Sequence, residues 1–273
     1  MRIQIRHKTT YVYNEPAKST IQHLRLTPRN YNGQHVAHWR IDVDRDCRLR
    51  AAEDAYGNIL HRLTSEDQRT SITTLVEGEV TTFDTAGIVL GAVERFPTVF
   101  YLRDTPLTMA CMELAEFANN IARSRKSQLD HMHELLGALC EMMAFDTDVT
   151  HAATTAATAF ELRKGVCQDF AHIFIACARM LNVPARYVSG YFLRNDTQDQ
   201  IAGHAWAEVF IDELGWVGFD PAHGVCPDER YVRLAVAPDY IGAAPIRGAR
   251  MGGGAEKLDV QISVVDAMAQ SVQ

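Results

Sequence analysis

The chain has 273 residues, 47% of them hydrophobic and 22% charged, with a formal net charge of −7; such values exclude a disordered chain. The acidic balance argues against a dedicated nucleic-acid or anionic-membrane surface, and no apolar run reaches the roughly 18 residues that a spanning helix needs. Six cysteines, at irregular spacing, do not make a secreted disulfide framework.

The first residues, Met1-Arg2-Ile3-Gln4-Ile5-Arg6, alternate like a strand with no signal-peptide core behind them. This start, with the cysteine usage, predicts a cytoplasmic protein whose thiols are free and buried as small hydrophobes. At roughly 150 residues per domain, the length predicts two domains. The opening strand carries Ile3, Ile5, Tyr11 and Tyr13 on one parity and is expected to break at Asn14-Glu15-Pro16. Further strands are expected at 20–26, 35–43, 58–63 and 71–83, separated by turn formers such as Asn32-Gly33 and Tyr56-Gly57-Asn58. This spacing predicts an antiparallel β-sandwich-like domain over residues 1–90. Its histidines are scattered over different strands and form no catalytic pattern.

After Thr85 the period changes to that of helices, which are predicted at 106–122, 128–143, 156–164 and from Cys167 to Leu181. Strands follow at 185–192, 204–211, 216–219, 230–236 and 258–265. Helices first and strands after predict an α+β domain over residues 91–273. The run Gly252-Gly253-Gly254 reads as a turn, since no strand-to-helix pattern surrounds it.

Cys167 differs from the other five cysteines. Phe170, Phe174, Cys177 and Leu181 form an inward stripe that, projected back, puts Cys167 in the first turn of its helix. Unpaired N–H groups and the positive end of the helix dipole favour an anion there, so its thiol is expected below the usual value of about 8.5. A thiolate nucleophile needs an imidazole to carry its proton and a carboxylate or amide to orient that imidazole. His204 opens one predicted strand and Asp220 closes the next. They share a face of an antiparallel hairpin only if the connecting loop holds an odd number of residues.

Four segments, Gly165-Val166-Cys167-Gln168-Asp169-Phe170-Ala171-His172, Pro184–Tyr191, His204-Ala205-Trp206-Ala207-Glu208 and Gly215–Pro221, resemble the bacterial transglutaminase-like proteins of the transglutaminase and papain-like superfamily. The strand-rich start, with Thr-Tyr-Val-Tyr and Tyr56-Gly57-Asn58, is similar to that group's N-terminal region. The resemblance implies a transglutaminase/papain-like core, a helical bundle whose Cys167 helix packs on an antiparallel β-sheet, with Cys167 the nucleophile, His204 the base and Asp220 the orienting carboxylate. Ala237-Pro238 departs from the pattern before Asp239-Tyr240. The implied reaction is cleavage of an amide in a peptide or protein substrate through a Cys thioester, with no cofactor and no metal. Hydrolysis is favoured, since bacterial members are often regarded as cysteine proteases. Transfer to an amine and a non-catalytic interaction module are the alternatives. The backbone N–H of Cys167 is the natural first oxyanion donor. Gln168, Tyr187 and Trp206 are candidates for the second, and Trp206 with Trp216 for lining an acyl groove.

Other clusters carry less. His172 lies about 140° around the helix from Cys167 and reads as a packing residue. Asp169 reads as a helix cap. Asp130-His131-Met132-His133-Glu134 lacks the second histidine of a zincin, and Asp146-Thr147-Asp148 fails as a calcium loop.

Overall fold

The computed structural model describes residues 1–123 and 126–270. In chain order the strands are β1 (Arg2–Thr27), β2 (Gln34–Val43), β3 (Arg50–Glu53), β4 (Ile59–Ser65), β5 (Arg69–Thr82) and β6 (Ile88–Val89). Helices α1 (Met112–Ile121) and α2 (Gln128–Met142), the short β7 (Ala144–Phe145), α3 (Ala156–Leu162), the short β8 (Lys164–Gly165) and α4 (Cys167–Met180) come next. The chain closes with β9 (Ala185–Phe192), β10 (Asp199–Gln200), β11 (His204–Ile211), β12 (Gly215–Phe219), β13 (Tyr231–Ala237), α5 (Tyr240–Ala243), β14 (Ile246–Gly252), β15 (Glu256–Asp266) and α6 (Ala267–Gln270). No described helix is long and apolar enough to cross a membrane.

The strand-rich part is one eight-stranded antiparallel sheet built on β1. The first half of β1 pairs with β5 and β15, and its second half with β4 and β14. Instead of the expected break, β1 runs on through Asn14-Glu15-Pro16. The β1–β5 register shifts between Val12 and Ala17, and a proline is tolerated at such an irregularity because its missing N–H is not needed by the ladder. Residues 246–266 were expected to belong with the helices and later strands, yet β14 and β15 complete the first sheet. The division near residue 90 is therefore not a single cut. Period-2 alternation makes β15 a strand but carries nothing about which sheet receives it.

The second sheet has the order β13-β9-β11-β12-β6 and is antiparallel throughout. One face, with Ala185, Tyr187, Ala205, Ala207, Val209 and Phe219, shares a core with the wholly buried middle of α4 and with α1, α2 and α3. The opposite face carries Val188, Phe192, Trp206, Tyr231 and Val236. The two sheets are fastened along β13, whose outer edge would otherwise present unpaired backbone groups. The Gln34 amide donates to Arg233 O at 2.9 Å and accepts from Arg233 N at 2.8 Å. The Asn58 amide does the same with Val236, both at 2.8 Å.

His7 is buried between the sheets, with Nδ1 2.9 Å from Tyr191 Oη and Nε2 2.9 Å from Thr9 Oγ1. Burial pulls its pKa from 6.5 to about 4. The unfolded chain therefore binds this proton first, and stability falls as pH drops below 6.5. Between pH 6.5 and 5 the loss from His7 is expected to be about 2 kcal/mol. Urea melts over this range check it, and a His7→Gln variant should show a shallower slope.

Candidate active site

Cys167 is the first residue of α4, His204 the first of β11, and Asp220 follows directly on β12. Local sequence makes the first of these placements. Arg163 ends α3 in the left-handed conformation (φ 54°). Asp169 then caps α4, accepting from the Val166 N–H at 2.8 Å and from Thr150 Oγ1 at 2.6 Å. Gly165 permits that cap, since a Cβ there would lie 2.5 Å from Asp169 Oδ2. The Cys167 N–H thus sits in a first turn whose donors have no partner within the helix.

The β11–β12 connection is the three residues 212–214, an odd number. The register Ala207↔Phe219 extends to set Asp220 opposite Trp206, on the face of His204. His204 Nε2 donates to Asp220 Oδ2 at 2.6 Å. Asp220 Oδ2 also accepts from Tyr231 Oη and from His223 Nδ1, both at 2.8 Å, and Oδ1 accepts from the Ala222 N–H at 3.0 Å. Burial alone would raise the Asp220 pKa, but the charge and hydrogen bond of His204, then those of His223, hold it well below the usual carboxylate range. Burial alone would lower His204. The Asp220 charge and hydrogen bond outweigh it, and with the hydrogen-bonded Cys167 side chain they push His204 up to about 10. Phe192, Trp206, Tyr231 and His223 surround the imidazole, with ring centroids 5.0 to 6.2 Å away.

The structure thus brings Cys167, His204 and Asp220 together. Gln168 and Tyr187 line the same cleft, of about 300 Å³. The Gln168 side chain is tied to Ala152 O at 3.3 Å, and Tyr187 is buried in front of His172 with ring centroids 5.1 Å apart. Trp206 and Trp216 lie outside the cleft. Trp206 packs behind His204 on the far face of the sheet, and Trp216 lies 3.8 Å under the Arg186 guanidinium. Parity puts both on the face away from α4, where they support the sheet. His172 accepts the Tyr240 N–H at 3.1 Å and is kept neutral by burial.

Sequence reasoning missed His223 and Tyr231, the two further side-chain donors to Asp220. His223 follows Asp220 by three residues, within reach of a turn, but Tyr231 meets it only through the sheet. Tyr231→Phe is expected to cost about 2 kcal/mol in a urea melt, the worth of a hydrogen bond to a buried charge. His204, Asp220 and His223 also bring ligand-type atoms within 4.8 Å of one another.

Residues 115–221 match the transglutaminase-like superfamily, and residues 3–81 match the bacterial transglutaminase-like N-terminal region. The chain is 28% identical to an uncharacterized protein of Mycobacterium leprae over 96% of this chain and 98% of that one. Over an alignment of 108 positions that covers 34% of this chain and 16% of the other, the chain is 32% identical to protein-glutamine gamma-glutamyltransferase of Pseudomonas aeruginosa. The solved structure of a candidate cysteine protease from Cytophaga hutchinsonii superposes with a TM-score of 0.77 at 20% identity, covering 98% of this chain and 91% of that chain. At that identity the likeness is one of fold.

Proposed function

From the premise that this chain belongs to the transglutaminase-like superfamily, with a bacterial transglutaminase-like N-terminal region, we propose that it is an acyl-transfer enzyme that hydrolyses an amide of a peptide or protein through a Cys167 thioester. The observation that carries the reading is the buried 2.6 Å contact between His204 Nε2 and Asp220 Oδ2, with Cys167 beside that imidazole in the same cleft. Asp220 fixes the ring and favours the imidazolium, which in turn favours the thiolate.

The thiolate attacks the amide carbonyl carbon, and the oxyanion that forms is met by the Cys167 N–H at the helix start. The C–N bond breaks as His204 gives its proton to the departing amine or ammonia. Water then attacks the thioester, His204 takes its proton, and the carboxylic acid leaves with the thiolate–imidazolium pair restored. Tyr187 and Gln168 border the acyl group from the cleft walls.

Alkylation of Cys167 by iodoacetamide across pH tests the pair. The wild-type thiol is expected to react readily at pH 6, and His204→Ala should slow that reaction. A rate at pH 6 that His204→Ala leaves unchanged removes the proposal. Turnover should fall above pH about 10, where the imidazolium loses its proton. Transfer to an amine is the second reading, supported by the stretch shared with protein-glutamine gamma-glutamyltransferase. Incubating a glutamine peptide with and without a primary amine separates the two: free acid in both arms supports hydrolysis, and an amine adduct supports transfer.

A further inference from the structure

One wall of the Cys167 cleft comes from the strand-rich sheet: His7, Thr9 and Tyr11 of β1 and Leu258 and Val260 of β15. Nineteen described residues line the cleft, and none of them is Asp, Glu, Lys or Arg. His7, the one histidine besides His204, is kept neutral by its burial. Away from the catalytic pair, the cleft therefore offers a charged side chain no counter-charge, and desolvation there would go uncompensated.

The backbone adds a second observation. β10 pairs with β15 only at Asp199↔Ser263 and Gln200↔Ile262, and the Val264 N–H donates to Gln198 O at 3.2 Å. Past Gln200 the chain turns off through Ile201-Ala202-Gly203 to start β11 at His204. The outer edge of β15 has no partner strand beyond that point among the described residues. Strand alternation from Val264 and Ile262 makes Val260 and Leu258 the next residues whose N–H and C=O face this vacated side. Those same two residues line the cleft beside Cys167 and His204.

We propose that this vacated edge is the acyl-donor subsite, where an extended, uncharged, apolar peptide segment adds as a strand to β15 at Leu258–Val260 and delivers its amide to Cys167. Main-chain pairing supplies the affinity of such an added strand, and the walls supply its selectivity. This inference rests on the proposed chemistry of Cys167 and names the substrate class for it.

The test uses alkylating peptides with the electrophile at their C-terminus, on the acyl side, in which the Cys167 sulfur displaces chloride: acetyl-Leu-Leu chloromethyl ketone, its Glu-Glu and Lys-Lys analogues, and the Leu-Leu probe methylated on its backbone nitrogens. Each rate is divided by that of plain iodoacetamide on the same protein. The Leu-Leu probe is expected to react at least tenfold faster than either charged probe, and N-methylation should remove most of that advantage. Leu258 is 52% exposed, so Leu258→Lys leaves the core intact; it should raise the Glu-Glu rate and lower the Leu-Leu rate. Leu-Leu, Glu-Glu and Lys-Lys rates within twofold of one another overturn the subsite, and an undiminished rate for the methylated probe overturns the strand pairing. Plain iodoacetamide reports separately on the chemistry. Flank preference without any dependence on His204 would support the subsite and remove the proposed thiolate–imidazolium pair.

Discussion

Cys167→Ala is expected to lower amide turnover by at least about 10⁴-fold and to abolish any acyl-enzyme detectable by mass spectrometry, the usual effect of deleting a nucleophile. The fold should survive, because Cys167 stands at the tip of α4 while the buried stripe of that helix begins at Asp169 and Phe170. Asp220→Asn should stop short of the full loss, with a drop of about 10³-fold or more. The sign follows from the site. His204 stands at about 10 because the Asp220 charge outweighs burial. Without that charge, burial pulls the imidazole below its ordinary 6.5, so it no longer holds a proton opposite the thiolate at neutral pH. Iodoacetamide reactivity at pH 6 should therefore fall with turnover in Asp220→Asn. Turnover retained by Cys167→Ala would sink the nucleophile assignment. Reactivity unchanged in Asp220→Asn would sink the role given to the carboxylate.

Glu208→Gln should cost about 3–5 kcal/mol in a urea melt, the range for breaking a buried ion pair by removing one partner. Glu208 is fully buried on β11, and its carboxylate accepts from Arg186 Nε at 2.7 Å and from Arg233 Nε at 2.7 Å. Burial would raise the Glu208 pKa, but Arg233 and Arg186 together bring it down to about 2. In the variant, Arg186 keeps Glu94 and its place on the Trp216 ring, 3.8 Å away, but no charge remains between the two guanidinium groups. The Glu94 side chain is 35% exposed, so Glu94→Gln should stay within about 1 kcal/mol because water covers the loss. Equal melts for the two variants would show that the interior end of the network carries no special weight. The same network braces the strand that begins at His204, so turnover should fall along with stability in Glu208→Gln.

The core of the site was legible because its signals are local. The stripe Phe170, Phe174, Cys177 set the phase of α4 and so the position of Cys167. The parity of Asp220 against His204 was left open, because the strand expected from 216 implies an even loop, and only the pairing of Gly215 with Ile211 makes it odd. Helix and strand periods are properties of a few neighbouring residues, and the elements 128–142, 185–192 and 204–211 follow from them nearly to the residue. The same periods could not say which way a sheet face looks. Trp206 and Trp216 share parity with His204, yet they brace the back of the sheet, because only the end residue of β11 meets the tip of α4.

Sequence by itself thus determined the helix-start cysteine, the strand histidine, the carboxylate after the next strand, and the chain order of the elements around them. Tertiary structure alone decided that Tyr231 and His223 share the Asp220 oxygen with His204, and that β14 and β15 return to pair with β1, more than 200 residues earlier in the chain. It also decided that the first sheet walls the cleft. Which element covers which depends on burying apolar faces across long separations, and no window of neighbouring residues contains that information.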